Sequence, residues 1–305
     1  MKTIAQFVQQ GIASTDELKD ALQTAMRLEF STIPPYLCAE WSIDFNNDPD
    51  NVMPMIHGVV VQEMYHFALA GNMLSAIGGK PAVANASFLT AYPAKSLPGG
   101  IAQAVAVDLL PLSQAQLQVF MQIEQPEFPP VGLVAMAVGP PTIADFYDTV
   151  SGAFTTYKPA IDLNAHYVPA VGQIKTVDDA LAAIERIKTE GEGTQKSPDQ
   201  PAIDGNQLAH YYTFKQIHVG KQMIPVGDKW DFVGPPIRFP NVMGFAKSPA
   251  DPDLPAFKQQ LALLLTNLEM CWTTGAAPDI DGMTQLQELG IGLIQKGVRP
   301  EFVWS

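Results

Sequence analysis

Residues 52–77 read as one long helix, yet two positions in the middle of its apolar stripe are ionisable. The stripe runs Val52, Ile56, Val59, Glu63, His66, Ala70, Met73 and Ile77, and it stops at Gly78-Gly79. Glu63 and His66 share a face one turn apart. Burying such groups unpaired costs on the order of several kcal/mol per charge, so a core face that carries them requires a counter-charge.

The same anomaly recurs on three other predicted helices. Ser14-Thr15-Asp16-Glu17 has the form of a capping box, and the helix it opens carries Leu18, Leu22 and Ala25 in a stripe whose next member is Glu29. Over 177–190, Ala180, Ala183 and Ile187 lead in register to Glu190, while Glu185 falls on the other side. A further helix is expected to carry Ile203, Gln207, His210, Phe214 and Ile217 at core spacing. There Gln207-Leu208-Ala209-His210 repeats the frame of Glu63-Met64-Tyr65-His66 with glutamine replacing glutamate.

These segments define an all-α chain. Residues 15–77 form a first antiparallel helix pair, with Glu29 and Glu63 each about 25 Å from the connection near residue 47, so that they meet at one level. Residues 80–141 are a long Pro- and Gly-rich crossover with one short helix at 114–124. A second helix set spans 142–222, and 225–305 holds a Pro-rich loop and two closing helices at 255–274 and 283–296. The expected architecture is a four-helix bundle with a long crossover and extra C-terminal helices, one domain over 1–305, without strands or repeats.

Composition narrows the function classes. Lys plus Arg total 18 against 31 Asp plus Glu, a formal net charge of −13, which argues against nucleic acid or an anionic membrane as partner. Cys38 and Cys271 are too few for a disulfide framework, and no apolar run approaches the ~18 residues of a membrane span. A soluble cytoplasmic protein is expected, and a homo-oligomer is compatible with this composition.

A solvated helix face is the ordinary explanation for one Glu-x-x-His, and a paired buried acid the ordinary one for Glu29 alone. The coincidence across helices favours a metal site instead. Carboxylates can bridge two cations while imidazole caps each one, the arrangement of four-helix dimetal proteins. The candidate ligands are Glu29, Glu63, His66, Glu190 and His210, with Gln207 and Glu192 as a degenerate or outer ligand. Glu40, Asp44, Glu124 and Asp145 read as solvated or helix-end groups, and His57, His166 and His218 fall outside the ligand frames. Tyr36, Tyr65 and Tyr211 lie near the expected site, although helical aromatics are more often core. Pro34 and Pro35, one turn past Glu29, fit either a helix stop at Ile33 or a kinked helix. Apolar spacing resumes at Leu37 and favours the kink, which would open room for substrate beside the metal.

Several motifs in order resemble the ferritin-like family of iminophenyl-pyruvate dimer synthases, related to domains of the chromopyrrolate-type synthases of violacein and indolocarbazole pathways. They are Leu28-Glu29-Phe30-Ser31-Thr32-Ile33-Pro34-Pro35-Tyr36-Leu37, Glu63-Met64-Tyr65-His66, Gly78-Gly79-Lys80-Pro81, Leu97-Pro98-Gly99-Gly100, Phe120-Met121-Gln122-Ile123-Glu124-Gln125-Pro126, and Glu190-Gly191-Glu192-Gly193 followed by His210-Tyr211-Tyr212-Thr213-Phe214. The resemblance runs over most of 15–245. It implies a ferritin-like bundle and, for the best-known members, oxidative coupling of two amino-acid-derived imines. Glu29, Glu63, His66, Glu190 and His210 match the ligands it implies, and Gln207 departs where a glutamate is expected. The expectation is a non-heme iron oxidase, mononuclear or di-iron, with manganese as the other metal. It would activate dioxygen or peroxide and oxidise a small molecule such as an imino or amino acid. The alternatives are a metal-binding or storage protein without turnover, and a non-catalytic member whose site has decayed.

Overall fold

A computed structural model of the chain describes residues 2–98, 106–126, 142–194, 197–202, 205–248 and 250–305. Gly99, Gly100 and Ile203 from the sequence reading lie outside the described residues. Helix α1 (Ile4–Gln10), which the sequence reading passes over, is short and closed by a capping box between Thr3 and Gln6. Helix α2 (Thr15–Trp41) starts where expected, with Ser14 Oγ accepting from the Glu17 amide and two acidic residues in its first turn. Helix α3 (Val52–Ala76) is capped from outside by Asp48, whose two carboxylate oxygens accept from the amides of Val52 and Met53 at 2.8 Å each. It ends ahead of Gly78, whose φ of +76° turns the chain away.

The crossover contains α4 (Gln114–Ile123), and then α5 (Ile143–Tyr157) and α6 (Val177–Glu192) follow, each opened by a Thr/Asp capping box. Helices α2 and α3 pack along their lengths, as do α5 and α6; α2 touches α5 and α3 touches α6, which closes a four-sided bundle. Helix α7 (His210–Val219) pairs with α4 and also contacts α3 and α6. Helices α8 (Leu254–Thr274) and α9 (Ile280–Gln295) pack on each other and against α3 and α2. Among the described residues no helix is long and apolar enough to cross a membrane.

Two details differ from the sequence reading. Short antiparallel hairpins do form, β1 (Asp199–Ala202) with β2 (Gly205–Leu208) and β3 (Ile224–Val226) with β4 (Lys229–Asp231). Gln207 therefore belongs to a strand, and α7 begins only at His210, so the helical Gln-x-x-His frame does not exist.

Helix α2 runs unbroken through Pro34 and Pro35. Proline at 35 removes the amide that would have bonded the Ser31 carbonyl. The Tyr92 hydroxyl takes its place, donating to Ser31 O at 2.5 Å. Upstream, Ser31 and Thr32 hydroxyls donate back to the carbonyls of Leu28 and Glu29. Tyr92→Phe leaves the Ser31 carbonyl without this partner, and we expect it to lower unfolding stability by about 1–3 kcal/mol. A denaturant midpoint equal to that of the parent would contradict this.

Candidate metal centre

Six helices converge on one buried cluster. Helix α2 contributes Glu29, Thr32 and Tyr36; α3 contributes Gln62, Glu63 and His66; α5 contributes Tyr147; and α6 contributes Glu190. Glu124 is the C-cap of α4, and His210 is the first residue of α7. All are buried, Glu63 at 3% exposure and His210 at 0%.

Two trios of donor atoms result, and Glu63 belongs to both. In one, His66 Nδ1 lies 3.7 Å from Glu29 Oε2 and 3.9 Å from Glu63 Oε1. In the other, His210 Nδ1 lies 2.8 Å from the same Glu63 Oε1 and 3.5 Å from Glu124 Oε2. Within each trio the donor atoms fall within 4.8 Å of one another, close enough to hold one cation. The two imidazole rings stack with centroids 5.5 Å apart.

Every carboxylate in the trios has one oxygen tied to a hydroxyl, while the other faces inward. Tyr147 donates to Glu29 Oε1 at 2.6 Å, Tyr36 to Glu124 Oε1 at 2.5 Å, and the Thr32 hydroxyl is 2.7 Å from Glu63 Oε2. Each histidine has its Nε2 engaged behind the site. His66 Nε2 pairs with Glu190 Oε2 at 2.8 Å, and Glu190 Oε1 accepts from Arg186 Nε at 2.9 Å. His210 Nε2 pairs with the Gln62 amide oxygen at 2.9 Å, and Gln62 Nε2 in turn donates to Gln207 Oε1 at 3.4 Å.

This arrangement selects tautomers. With Nε2–H donating to Gln62, His210 Nδ1 carries a lone pair, and that buried atom has no hydrogen-bond partner. Its 2.8 Å approach to Glu63 is therefore close without being a hydrogen bond in geometry. Two lone pairs face each other there, which is favourable only with a proton or a cation between them. The electrostatics agree. Burial and the Glu124 carboxylate raise Glu63 to about 7, against the opposing pull of His210. Burial alone would push both imidazoles down, but neighbouring carboxylates outweigh it: Glu190 and Glu29 beside His66, raised to about 9, and Glu124 and Glu63 beside His210, raised to about 10. Glu190 moves the other way: burial works to raise it, but His66 and Arg186 prevail and hold it low. Burial and adjacent carboxylates keep the Tyr36 and Tyr147 phenols protonated as donors. Without a metal the cluster gathers protons; mixed carboxylate and imidazole donors of this kind suit a divalent cation.

The candidates from the sequence distribute as follows. Glu29, Glu63, His66 and His210 come together in the trios. Glu190 stands behind His66 and makes no part of either trio, while Glu124, read as a helix-end group, takes the inward place. Gln207 accepts from Gln62 and is in neither trio, and Glu192 accepts from the Ala144 amide at the start of α5. Tyr36 is at the site, but Tyr65 stacks under Arg186 and Tyr211 packs on Tyr212 and Lys215. His57, His166 and His218 are in neither trio; His57 pairs with Glu40 at 2.9 Å. Gln62 and Tyr147 carry no sequence signal beyond residue type, and Thr32 and Glu124 stand inside the quoted motifs without being marked as site residues.

The sequence profile of the ferritin-like family matches residues 22–219. No curated protein sequence matches the chain. Among solved structures, a ferritin-like protein from Caulobacter vibrioides superposes with a TM-score of 0.70 at 20% identity, covering 96% of this chain and 99% of that one. That likeness speaks to the fold.

Proposed function

Because the chain belongs to the ferritin-like family, we propose that it is a non-heme metal-dependent oxidase whose two cations are held by the trios around Glu63. Glu29 and His66 would hold one cation, Glu124 and His210 the other, and Glu63 would bridge them. The observation that carries this reading is the shared carboxylate flanked by two imidazoles whose Nδ1 atoms both face it. Iron, or manganese, would supply the redox chemistry with dioxygen or peroxide. Tyr36 and Tyr147 position the terminal carboxylates and keep their own protons at Oη, so each glutamate presents a single oxygen inward.

Charge supports a substrate class. Three carboxylates against two divalent cations leave one positive charge at the pair, with Glu190 neutralised behind it by Arg186. A substrate carboxylate would complete that balance. Together with the motif resemblance, this favours an amino-acid-derived imine, and oxidative coupling of two of them, as the reaction. Dioxygen consumption by iron(II)-loaded protein supplied with imino or amino acids tests it. Consumption that stays at the substrate-free level for all of them would leave metal binding or storage without turnover.

The two subsites are expected to differ in strength. A histidine whose distal N–H meets a carboxylate is a more basic ligand than one that meets an amide, and loss of such a partner costs about 10–100-fold in metal affinity. His66 has Glu190; His210 has Gln62. Titration with manganese(II) or cobalt(II) should therefore resolve a tighter first and a weaker second equivalent. Glu190→Gln should weaken the first about 10–100-fold and merge the two steps. An isotherm for Glu190→Gln that overlays the parent's would rule this ordering out.

A further inference from the structure

Between the α2–α3 pair and helices α8 and α9 lies a cavity of about 280 Å³. Phe30, Phe67 and Phe302 give it aromatic walls, and Leu264, Leu265 and Met283 fill in between them. Among the described residues the one charged group in its wall is Asp279, at the start of α9, and that carboxylate already accepts from the Gly282 amide at 2.8 Å. The exposed Ile280 is part of its lining, so the space reaches the surface.

An apolar recess of this size leaves its walls in contact with water unless something fills it, which is unfavourable. Water is a poor occupant, because a buried water needs two to four polar partners and these walls offer almost none. An apolar cavity of roughly 150 Å³ stays dry and accepts benzene; this one has more room. A charged molecule would lose its hydration without compensation. Three phenylalanines and a methionine sulfur offer edges and polarisable contacts that suit a ring.

We propose that this cavity is a binding site for a small neutral aromatic molecule, separate from the metal centre. The two sites have no residue in common. Phe30 and Phe67 line the cavity, whereas the residues just before them, Glu29 and His66, belong to a trio, so α2 and α3 form a wall between the sites. The inference stands on the cavity alone and does not depend on the metal reading. Ile33 and Leu37, on either side of the proline pair, line this cavity, and none of the candidate ligands does.

Indole is a suitable probe. Titrated calorimetrically into the full chain without metal, it should bind saturably with one site per chain. Ala68→Phe, which fills the cavity from α3, should weaken binding at least tenfold without lowering the thermal midpoint. Leu268→Phe, at the half-buried rim, should do the same if the first variant fails to fold. Glu29→Ala should bind indole as the parent does. Absence of saturable binding to the parent chain would overturn the proposal. So would unchanged binding in both cavity variants, or loss of binding in Glu29→Ala, which would move the aromatic to the metal centre.

Discussion

Glu63→Ala is expected to empty both proposed metal subsites at once. In the parent chain we expect two equivalents of divalent metal after anaerobic loading and desalting, read by elemental analysis. In Glu63→Ala we expect close to none, because Glu63 Oε1 is the atom that both His66 and His210 approach. The loss exceeds one ligand bond per cation. Without the central carboxylate, each subsite keeps one glutamate and one imidazole, too few to compete with water for a divalent ion. Glu124→Ala is the informative partner, since it touches one trio only and should retain about one equivalent. The bridging assignment fails if Glu63→Ala still holds one tightly bound metal, or if Glu124→Ala loses both.

The largest stability effect is expected at a residue far from the ligands in chemistry although on the same helix. Gly71 in α3 faces the indole of Trp272, and a Cβ placed there would sit 2.3 Å from Cζ2 and 2.5 Å from Cε2. The ring has little freedom to retreat. Its Nε1 donates to Asn72 Oδ1 at 2.8 Å, and Asn72 is fixed by bonds with Val168 and Gly172. Gly71→Ala must therefore displace the ring or push α3 and α8 apart, at about 1–3 kcal/mol or more. For a chain of this size that is a fall in thermal midpoint of roughly 2–5 °C. Helix propensity opposes the effect by about 1 kcal/mol, and Gly152→Ala isolates that term. Gly152 is exposed in α5 and a Cβ there meets nothing within 4 Å, so this variant should gain stability. If Gly71→Ala melted with Gly152→Ala above the parent, the close approach of indole and helix would be wrong.

What was legible in the sequence follows from what periodicity measures. Glu29, Glu63 and His66 stand in mid-helix on stripes of known phase, so their common face was readable, as was the level at which they meet. Glu190 was also on its stripe, but a stripe gives a direction and not a depth. Its carboxylate stops behind His66, where it fixes the imidazole through Nε2. Glu124 lies one residue past the end of α4, where helical phase no longer says where a side chain points. Gln207 failed for a related reason. Its frame was extended backwards from His210 through a segment that is a strand, and α7 opens at Ala209 without a side-chain cap to mark the boundary. The cavity was out of reach, because it depends on how α8 and α9 lie on α2 and α3.

The position of each ligand within its helix also sets how the two halves of the site can move. Glu29, Glu63 and His66 project from the interiors of helices 27 and 25 residues long, whose backbones cannot open locally without unzipping turns on either side. Glu124 caps the end of one ten-residue helix, and His210 is the first residue of another. Helix ends fray at a small fraction of the global unfolding free energy. One half of the cluster thus stands on long helix interiors and the other on helix ends, so amide exchange should be faster around Glu124 and His210 than around Glu29 and Glu63.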